Sequence, residues 1–170
     1  LKLLGQDPWR VFVTGSAAID YILKQNFISK NELEKEFNLD LNKKTGVILQ
    51  HSVPEEKGLN GINFTKTIEA ANEGDLEQII VIYPNSDDGS EEIINVIKEI
   101  EQNKEKFSKF KVYKNIPFLK YLSLLKYSSV LIGNSSGGII EVPVIGIPVI
   151  NIGTRQDGRE RSPAVIDVNY

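Results

Sequence analysis

Short apolar runs alternate with longer amphipathic segments along the 170 residues of the chain. Runs rich in valine, isoleucine and tyrosine predict seven strands, at residues 11–13, 47–49, 79–83, 112–113, 130–132, 149–152 and 165–168. Most of these runs are apolar at every position, which is typical of strands that are buried on both faces of a sheet. The pattern therefore predicts a parallel sheet with helices on both faces.

The segments between the predicted strands have the periodicity of helices. Six helices are predicted, at residues 19–25, 31–37, 63–72, 90–105, 119–126 and 137–142. The segment 90–105 is the clearest, because Ile93, Ile97 and Ile100 fall on one face and Ser90 stands where a capping residue is expected. This alternation predicts an α/β fold, a Rossmann-like doubly wound parallel sheet. The polar stretch 52–60 is predicted to be a surface loop.

Composition removes several classes of function. Twenty Lys and Arg against 23 Asp and Glu give a net charge of −3, without the basic excess that nucleic-acid binding usually needs. The lack of cysteine excludes a disulfide scaffold and a cysteine nucleophile, and a single histidine cannot build a zinc site. No apolar stretch approaches the roughly 20 residues of a membrane helix. We therefore expect a soluble protein with neither a nucleic acid nor a membrane as partner.

A serine- and glycine-rich loop follows the predicted strand 130–132. The chain there reads Gly-Asn-Ser-Ser-Gly-Gly and then enters a helix. Ligands of open parallel sheets bind beyond the carboxyl ends of the strands. The hydroxyls of Ser135 and Ser136, together with amides that Gly137 leaves accessible, suit an anion, and a diphosphate fits best. The alternative is that Ser135 only caps the helix and the glycines only permit tight packing.

Glu141 lies more than one helical turn beyond Ser135. From there a carboxylate reaches sideways to a neighbouring polar group, and carboxylates that accept from two adjacent hydroxyls commonly hold a ribose. The alternative is a solvated charge at the end of the helix.

His51 is the only histidine in the chain and comes two residues after the predicted strand 47–49. At the carboxyl end of a strand, imidazole donates a hydrogen bond to a phosphate or moves a proton near neutral pH. The alternative is a structural histidine.

Two more polar loops leave the same predicted edge of the sheet. Residues 83–90 contain Asn85 and Asp87, which ordinary turn chemistry also explains. Residues 153–161 contain three arginines, among them Arg155, whose fork-shaped donors suit a phosphate clamp. The alternative is a solvated network in which the arginines pair with Asp157 and Glu160.

Four strings, in this order, resemble the hydrolysing UDP-N-acetylglucosamine 2-epimerases: Gln50-His51, residues 82–87, residues 132–141 and residues 146–160. Most of the specificity comes from the serine loop followed by Gly-Ile-Pro-Val-Ile-Asn-Ile-Gly-Thr-Arg-Gln. Residues 4–20 are similar to the segment that enters the second domain of those enzymes. The resemblance runs over most of the chain.

The resemblance implies one half of a glycosyltransferase-B type architecture, in which two Rossmann-like domains face each other across a nucleotide-sugar cleft. Residues 1–170 would be the C-terminal, UDP-binding domain, and the N-terminal domain of the same chain would be missing. The absence of methionine agrees with a piece of a longer protein. The family implies a UDP-sugar substrate, no cofactor or metal and a cytoplasmic location, and leaves a homo-oligomer open.

Roles of individual residues transfer by resemblance to the matching positions. The implied set consists of two catalytic residues, His51 and Arg155, and the substrate-binding residues Asn85, Asp87, Ile116, Ser135, Ser136, Gly137 and Glu141. Within it, the serines and the following amides would bind the diphosphate, the glutamate the ribose hydroxyls, and the backbone near residue 116 the uracil. The histidine would face the phosphate and the sugar.

The family reaction eliminates UDP to leave a glycal-like intermediate and then adds water, which gives free N-acetylmannosamine for sialic acid synthesis. Related enzymes act on UDP-linked diacetamido-trideoxy sugars of the legionaminic acid route, and the sequence does not separate the two. A glycosyltransferase donor domain and a non-catalytic nucleotide-sugar-binding module are further alternatives. Because the family's proposed proton-transfer carboxylates lie on the other domain, we expect this half alone to bind UDP weakly and not to turn over.

Overall fold

Six parallel strands form one sheet at the centre of this computed structural model, which describes residues 2–170. The strands are β1 (Thr45–Leu49), β2 (Gln78–Ile82), β3 (Phe110–Tyr113), β4 (Val130–Gly133), β5 (Val149–Ile152) and β6 (Val165–Val168). Their spatial order is β3-β2-β1-β4-β5-β6, and every neighbouring pair is parallel. The predicted Rossmann-like doubly wound sheet is therefore confirmed.

Helices connect most of the strands. They are α1 (Ala17–Leu23), α2 (Lys30–Phe37), α3 (Asn60–Glu73), α4 (Ser90–Gln102), α5 (Phe118–Lys126), α6 (Ser136–Ile140) and α7 (Val142–Ile145). Short 3-10 turns lie at Lys2–Leu4, Pro8–Arg10 and Pro54–Glu56. Within residues 2–170, no helix combines the length and the apolar character needed to cross a bilayer.

The sheet separates two apolar cores. Val47 of β1 and Leu131 of β4 face the first core, which α2, α5 and α7 cover. Ile48 and Ile132, one residue further along the same strands, face the second core, which α3 and α4 cover. Because successive side chains of a strand point to opposite faces, a strand covered on both sides must be apolar at every position. This explains the continuous runs in the sequence.

Several local predictions are wrong. Residues 11–13 form no strand, and Phe12 and Val13 are exposed, because no strand within residues 2–170 pairs with them. Ser90 does not cap α4. Gly89, with φ 83°, is the capping residue, and Ser90 is the buried first residue of the helix.

Two segments near the predicted ligand edge also differ from expectation. The stretch 52–60 is not simply a surface loop, since Ser52, Val53 and Asn60 are buried. The predicted helix 137–142 begins one residue earlier and ends at Ile140. A second short helix then starts with a proline in its first turn, so the helical run is interrupted at Glu141.

The strand order changes direction between β1 and β4, and their carboxyl ends meet there. Leu49 of β1 lies beside Gly133 of β4 in the parallel register. Gly133 has φ 140°, and a Cβ on it would overlap the carbonyl oxygen of Leu49, so only glycine fits. This close approach places the loop after β1 against the loop after β4, at the position where such sheets bind ligands.

Candidate functional site

A cavity of about 590 Å³ opens at the point where β1 and β4 part. Seven of the nine sequence-predicted site residues line it: His51, Asn85, Ile116, Ser135, Ser136, Gly137 and Glu141. The other two, Asp87 and Arg155, are joined by an ion pair of 3.5 Å, and Asp87 accepts a hydrogen bond of 2.6 Å from the Asn85 side chain. The structure therefore brings the predicted residues together at one edge of the sheet.

The serine loop begins α6. Ser135 caps this helix, with its Oγ accepting from the Gly137 N–H at 3.4 Å. A Cβ on Gly138 would lie 3.1 Å from Val149 Cγ1 and 3.3 Å from Leu131 Cδ2, so the helix packs directly on β4 and β5. The capping and packing functions considered as alternatives are thus both present. They also bring Ser135 and Ser136 to the cavity wall.

Glu141 is half-buried beside the cavity rather than solvated at a helix end. Its carboxylate folds back over α6, because a Cβ on Gly137 would lie 3.0 Å from Glu141 Oε2. Burial raises the pKa of the Glu141 carboxyl above its ordinary value. Partial loss of hydration makes this carboxylate a strong acceptor for any hydroxyl that enters the cavity.

His51 is held by two neighbours. Its main-chain N–H donates to Asn134 Oδ1 at 2.7 Å, and its carbonyl accepts from Asn134 Nδ2 at 2.9 Å. Its ring Nδ1 accepts from the Asn85 N–H at 3.0 Å. Because Nδ1 accepts, the ring proton of the neutral form resides on Nε2, which is then the donor of the imidazole.

The charge state of His51 follows from its surroundings. Burial and, to a lesser extent, the nearby positive charge of Arg155 lower the pKa of His51 to about 4, although the negative charge of Asp87 and the hydrogen bond from Asn85 act in the opposite direction. Imidazole is therefore neutral at physiological pH. In that form it is a hydrogen-bond donor without a charge of its own.

The arginines of the loop after β5 do not form a three-residue clamp. Arg155 pairs with Asp87 and donates to the carbonyl of Asn134 at 3.2 Å. Arg161 instead pairs with Asp167 at 2.7 Å and with Asp157 at 3.8 Å. The alternative of a solvated network therefore holds for Arg161 in part, through Asp157 but not Glu160, and within residues 2–170 the arginine of this loop that contacts residues around the cavity is Arg155.

Sequence reasoning assigned no role to three residues at or next to the cavity, which are Asn134, Gln156 and Tyr121. Asn134 is fully buried, and its carbonyl accepts from the buried Gln156 side chain at 2.7 Å, so it joins the loops after β1, β4 and β5. Tyr121 of α5 lines the cavity, and its buried hydroxyl has no hydrogen-bond partner within the described part of the chain. Asn134 stands inside the serine-loop string, but its role depends on which loops are neighbours.

The arrangement has a distinct chemical character. The cavity is lined together by two hydroxyl-bearing residues, Ser135 and Ser136, by the neutral imidazole residue His51 and by one carboxylate residue, Glu141. Such a wall suits a molecule that carries both an anionic group and neighbouring hydroxyls.

Comparisons with known proteins identify the family of the chain. A family model described as UDP-N-acetylglucosamine 2-epimerase matches residues 1–170. A Campylobacter jejuni relative named GDP/UDP-N,N'-diacetylbacillosamine 2-epimerase (hydrolyzing) is 37% identical over 171 residues, covering 98% of this chain and 43% of the relative. A Neisseria meningitidis relative named UDP-N-acetylglucosamine 2-epimerase is 31% identical over 173 residues, covering 100% of this chain and 43% of the relative. The chain thus spans well under half the length of these relatives.

A solved structure extends the comparison to the fold. The UDP-GlcNAc 2-epimerase from Neisseria meningitidis, determined bound to UDP-GlcNAc, matches with a TM-score of 0.69 at 20% sequence identity. The match covers 88% of this chain and 40% of that one. The fold is shared, and the resemblance seen in the sequence strings is confirmed along the whole chain. The chain belongs to the UDP-N-acetylglucosamine 2-epimerase family.

Proposed function

We propose that this chain is the C-terminal, UDP-binding half of a hydrolysing UDP-N-acetylglucosamine 2-epimerase of glycosyltransferase-B type architecture. The observation that carries the proposal is the convergence of His51, the serine loop and Glu141 on one cavity at the reversal of strand order. Family membership along residues 1–170 supports it. The N-terminal half of the enzyme would form the other wall of the cleft.

The diphosphate, the ribose and the uracil of the nucleotide would each meet a different group of residues in the cavity. Its diphosphate would accept from the hydroxyls of Ser135 and Ser136 and from the amide of Gly137, and its ribose hydroxyls would donate to Glu141. The uracil would meet the backbone near Ile116, which lines the cavity at the start of α5. His51 and Arg155 would face the phosphates and the sugar.

In the proposed reaction the bond from sugar C1 to the diphosphate oxygen breaks and its electron pair leaves with UDP. The proton on C2 goes to a base, which gives a glycal-like intermediate. Water then supplies a hydroxyl to C1 and a proton to the opposite face of C2, so free N-acetylmannosamine results. Negative charge grows on the departing diphosphate, and donors fixed beforehand by the fold stabilise that charge in the transition state.

His51 suits this task because it is neutral. The single ring proton of the neutral form is on Nε2, and this N–H can donate a hydrogen bond to the leaving group. The Asn85 N–H, which donates to Nδ1, keeps the ring in this tautomer. Arg155, paired with Asp87, supplies a positive charge near the ring. The groups that remove and return the C2 proton would belong to the N-terminal half.

A UDP-linked diacetamido-trideoxy sugar is the second candidate substrate. The 37% identical Campylobacter jejuni relative is named for such a sugar, and the 31% identical Neisseria meningitidis relative for UDP-N-acetylglucosamine. Sites for the sugar's own substituents would lie largely on the absent half. Because nucleotide sugars are cytoplasmic metabolites, we place the enzyme in the cytoplasm.

An assay of the intact enzyme without any acceptor tests the proposal. UDP-N-acetylglucosamine and the diacetamido-trideoxy analogue are each incubated with enzyme, and the free sugar and UDP are quantified. Release of the 2-epimeric free sugar with equimolar UDP from either substrate supports hydrolysing epimerisation, and the faster substrate identifies the enzyme. A strict requirement for an acceptor sugar would instead indicate a glycosyltransferase.

A further inference from the structure

Tyr121 carries a buried hydroxyl that nothing in the described chain satisfies. The residue belongs to α5 and is 8% exposed, yet it lines the same cavity as Glu141 and Ile116. Its hydroxyl makes no hydrogen bond with any described residue. Buried hydroxyls in proteins nearly always have a partner, so an orphan at a binding cavity points to a partner that is engaged when the site is occupied.

The chemistry of its surroundings identifies that partner. Tyr121 and Glu141 line the same cavity, and burial together with the negative charge of Glu141 raises the pKa of the Tyr121 phenol. The phenol therefore keeps its proton and is a donor. Glu141 is a half-buried carboxylate with spare acceptor positions, since each of its oxygens accepts more than one hydrogen bond.

The present position of the Glu141 carboxylate shows why it needs another residue to hold it when a nucleotide is bound. Its carboxylate now rests over Gly137 at the start of α6, the place proposed above for the diphosphate. A diphosphate there would repel the carboxylate toward the other wall of the cavity. Tyr121 reaches the cavity from α5, a different element from the serine loop.

We propose that the Tyr121 hydroxyl donates to the Glu141 carboxylate in the nucleotide complex and so fixes its oxygens where the two ribose hydroxyls meet them. Tyr121 is thus a positioning residue that sets the preference for a ribonucleotide over a 2'-deoxyribonucleotide. This inference rests on the proposed function. It adds a residue that acts through Glu141 rather than by touching the nucleotide.

The test compares UDP with 2'-deoxy-UDP by calorimetry on the intact protein. Tyr121→Phe removes only the hydroxyl, and we expect UDP affinity to fall about tenfold, with a much smaller loss for 2'-deoxy-UDP. The ratio of the two affinities therefore shrinks. Tyr127→Phe, at the end of the same helix and away from the cavity, is the matched control and leaves both affinities unchanged.

A second arm separates positioning from direct contact. In a Glu141→Gln background, Tyr121→Phe should change the ratio of affinities by less than twofold, because the carboxylate it positions is gone. An unchanged ratio in the single variant, an equal loss for both ligands, or a full effect that persists in the Glu141→Gln background would each overturn the inference. If the unaltered protein bound neither ligand, the proposed function itself would fail, and this inference with it.

Discussion

Asn134 holds His51 by both of its main-chain polar groups, at 2.7 and 2.9 Å. The two residues are 83 positions apart in sequence and become neighbours because β1 and β4 lie side by side. The carbonyl of Asn134 is in turn held by Arg155 and Gln156. One buried residue therefore ties the main chain of His51 to the serine loop through its side chain, and the serine loop to the loop after β5 through its carbonyl.

Replacing Asn134 should damage catalysis more than surface changes do. Asn134→Ala leaves the His51 N–H and carbonyl without buried partners, which costs about 1–3 kcal/mol of stability, and it frees the imidazole to move. In the intact enzyme we expect kcat to fall about tenfold or more, since small misplacements of reacting groups are costly. Steady-state kinetics and urea unfolding measure the two effects.

Asn95→Ala, on the exposed face of α4, is the control for Asn134→Ala. It should change neither quantity. An Asn134→Ala enzyme with the unaltered turnover rate would show that this contact does not position His51.

Gly137→Ala should weaken UDP binding while leaving the fold intact. The new Cβ would lie 3.0 Å from Glu141 Oε2 and 3.6 Å from Ser135 Oγ, so the flexible carboxylate is displaced and the serine hydroxyl is crowded. Alanine in a helix is otherwise favourable by about 0.5–1 kcal/mol relative to glycine. We expect roughly tenfold weaker UDP binding by calorimetry, with a melting temperature that does not fall.

Gly133→Ala provides the contrasting case. Its Cβ would overlap the Leu49 carbonyl oxygen, and its φ of 140° is unfavourable for alanine, so we expect severe destabilisation. If Gly137→Ala destabilised the protein as much as Gly133→Ala does, Gly137 would be needed for packing rather than for the nucleotide.

His51 should titrate far below the ordinary histidine range. Its folded-state pKa of about 4 lies under the value of 6.5 expected in an unfolded chain. Between these values the unfolded chain binds a proton that the folded chain does not, so stability falls as the pH drops from 6.5 toward 4. The loss from this group is about 3 kcal/mol at most. Because the chain has one histidine, NMR of its ring resonances at varied pH gives the midpoint directly.

Two charge variants check the cause of the His51 shift. Removing the positive charge with Arg155→Gln should raise the His51 pKa, and removing the negative charge with Asp87→Asn should lower it. A midpoint near 6.5 in the unaltered chain, or shifts of the same sign in both variants, would show that burial and this ion pair do not keep the imidazole neutral.

Glu141→Gln tests the ribose contact. A charged acceptor facing two hydroxyls is worth about 1.5–3 kcal/mol, so UDP affinity should fall by roughly 10- to 150-fold in the intact protein. Glu91→Gln, an exposed charge in the first turn of α4, should leave UDP affinity unchanged. Equal UDP affinities in calorimetry for the Glu141→Gln and unaltered proteins would rule out the ribose role.

The sequence predicted the layers of the fold because burial on both faces of a sheet has a direct signature. In the strand Thr45–Leu49, the successive residues Val47, Ile48 and Leu49 are all apolar because the sheet is covered on both faces. The same signature gave a wrong prediction of a strand at residues 11–13, where an apolar run of strand-forming residues has no neighbouring strand in the described chain. Strand propensity describes how residues fit a sheet and does not supply the sheet.

The site was predictable where chemistry alone marks a residue. His51 and Ser135 stood out because they follow strands, and Glu141 because it lies more than one helical turn beyond Ser135; all three carry groups that bind phosphates or hydroxyls. Asn134 and Tyr121 did not, because their importance comes from neighbours that only the strand order and the packing of α5 supply. The pairing of Arg161 with Asp167 likewise required the register of β5 and β6.

The most direct measurement is a crystal structure of the intact protein with UDP. We expect the diphosphate against the hydroxyls of Ser135 and Ser136, the ribose hydroxyls at Glu141 and the uracil beside the backbone of Ile116. UDP bound elsewhere, with this cavity vacant, would show that this half does not hold the nucleotide in the way proposed.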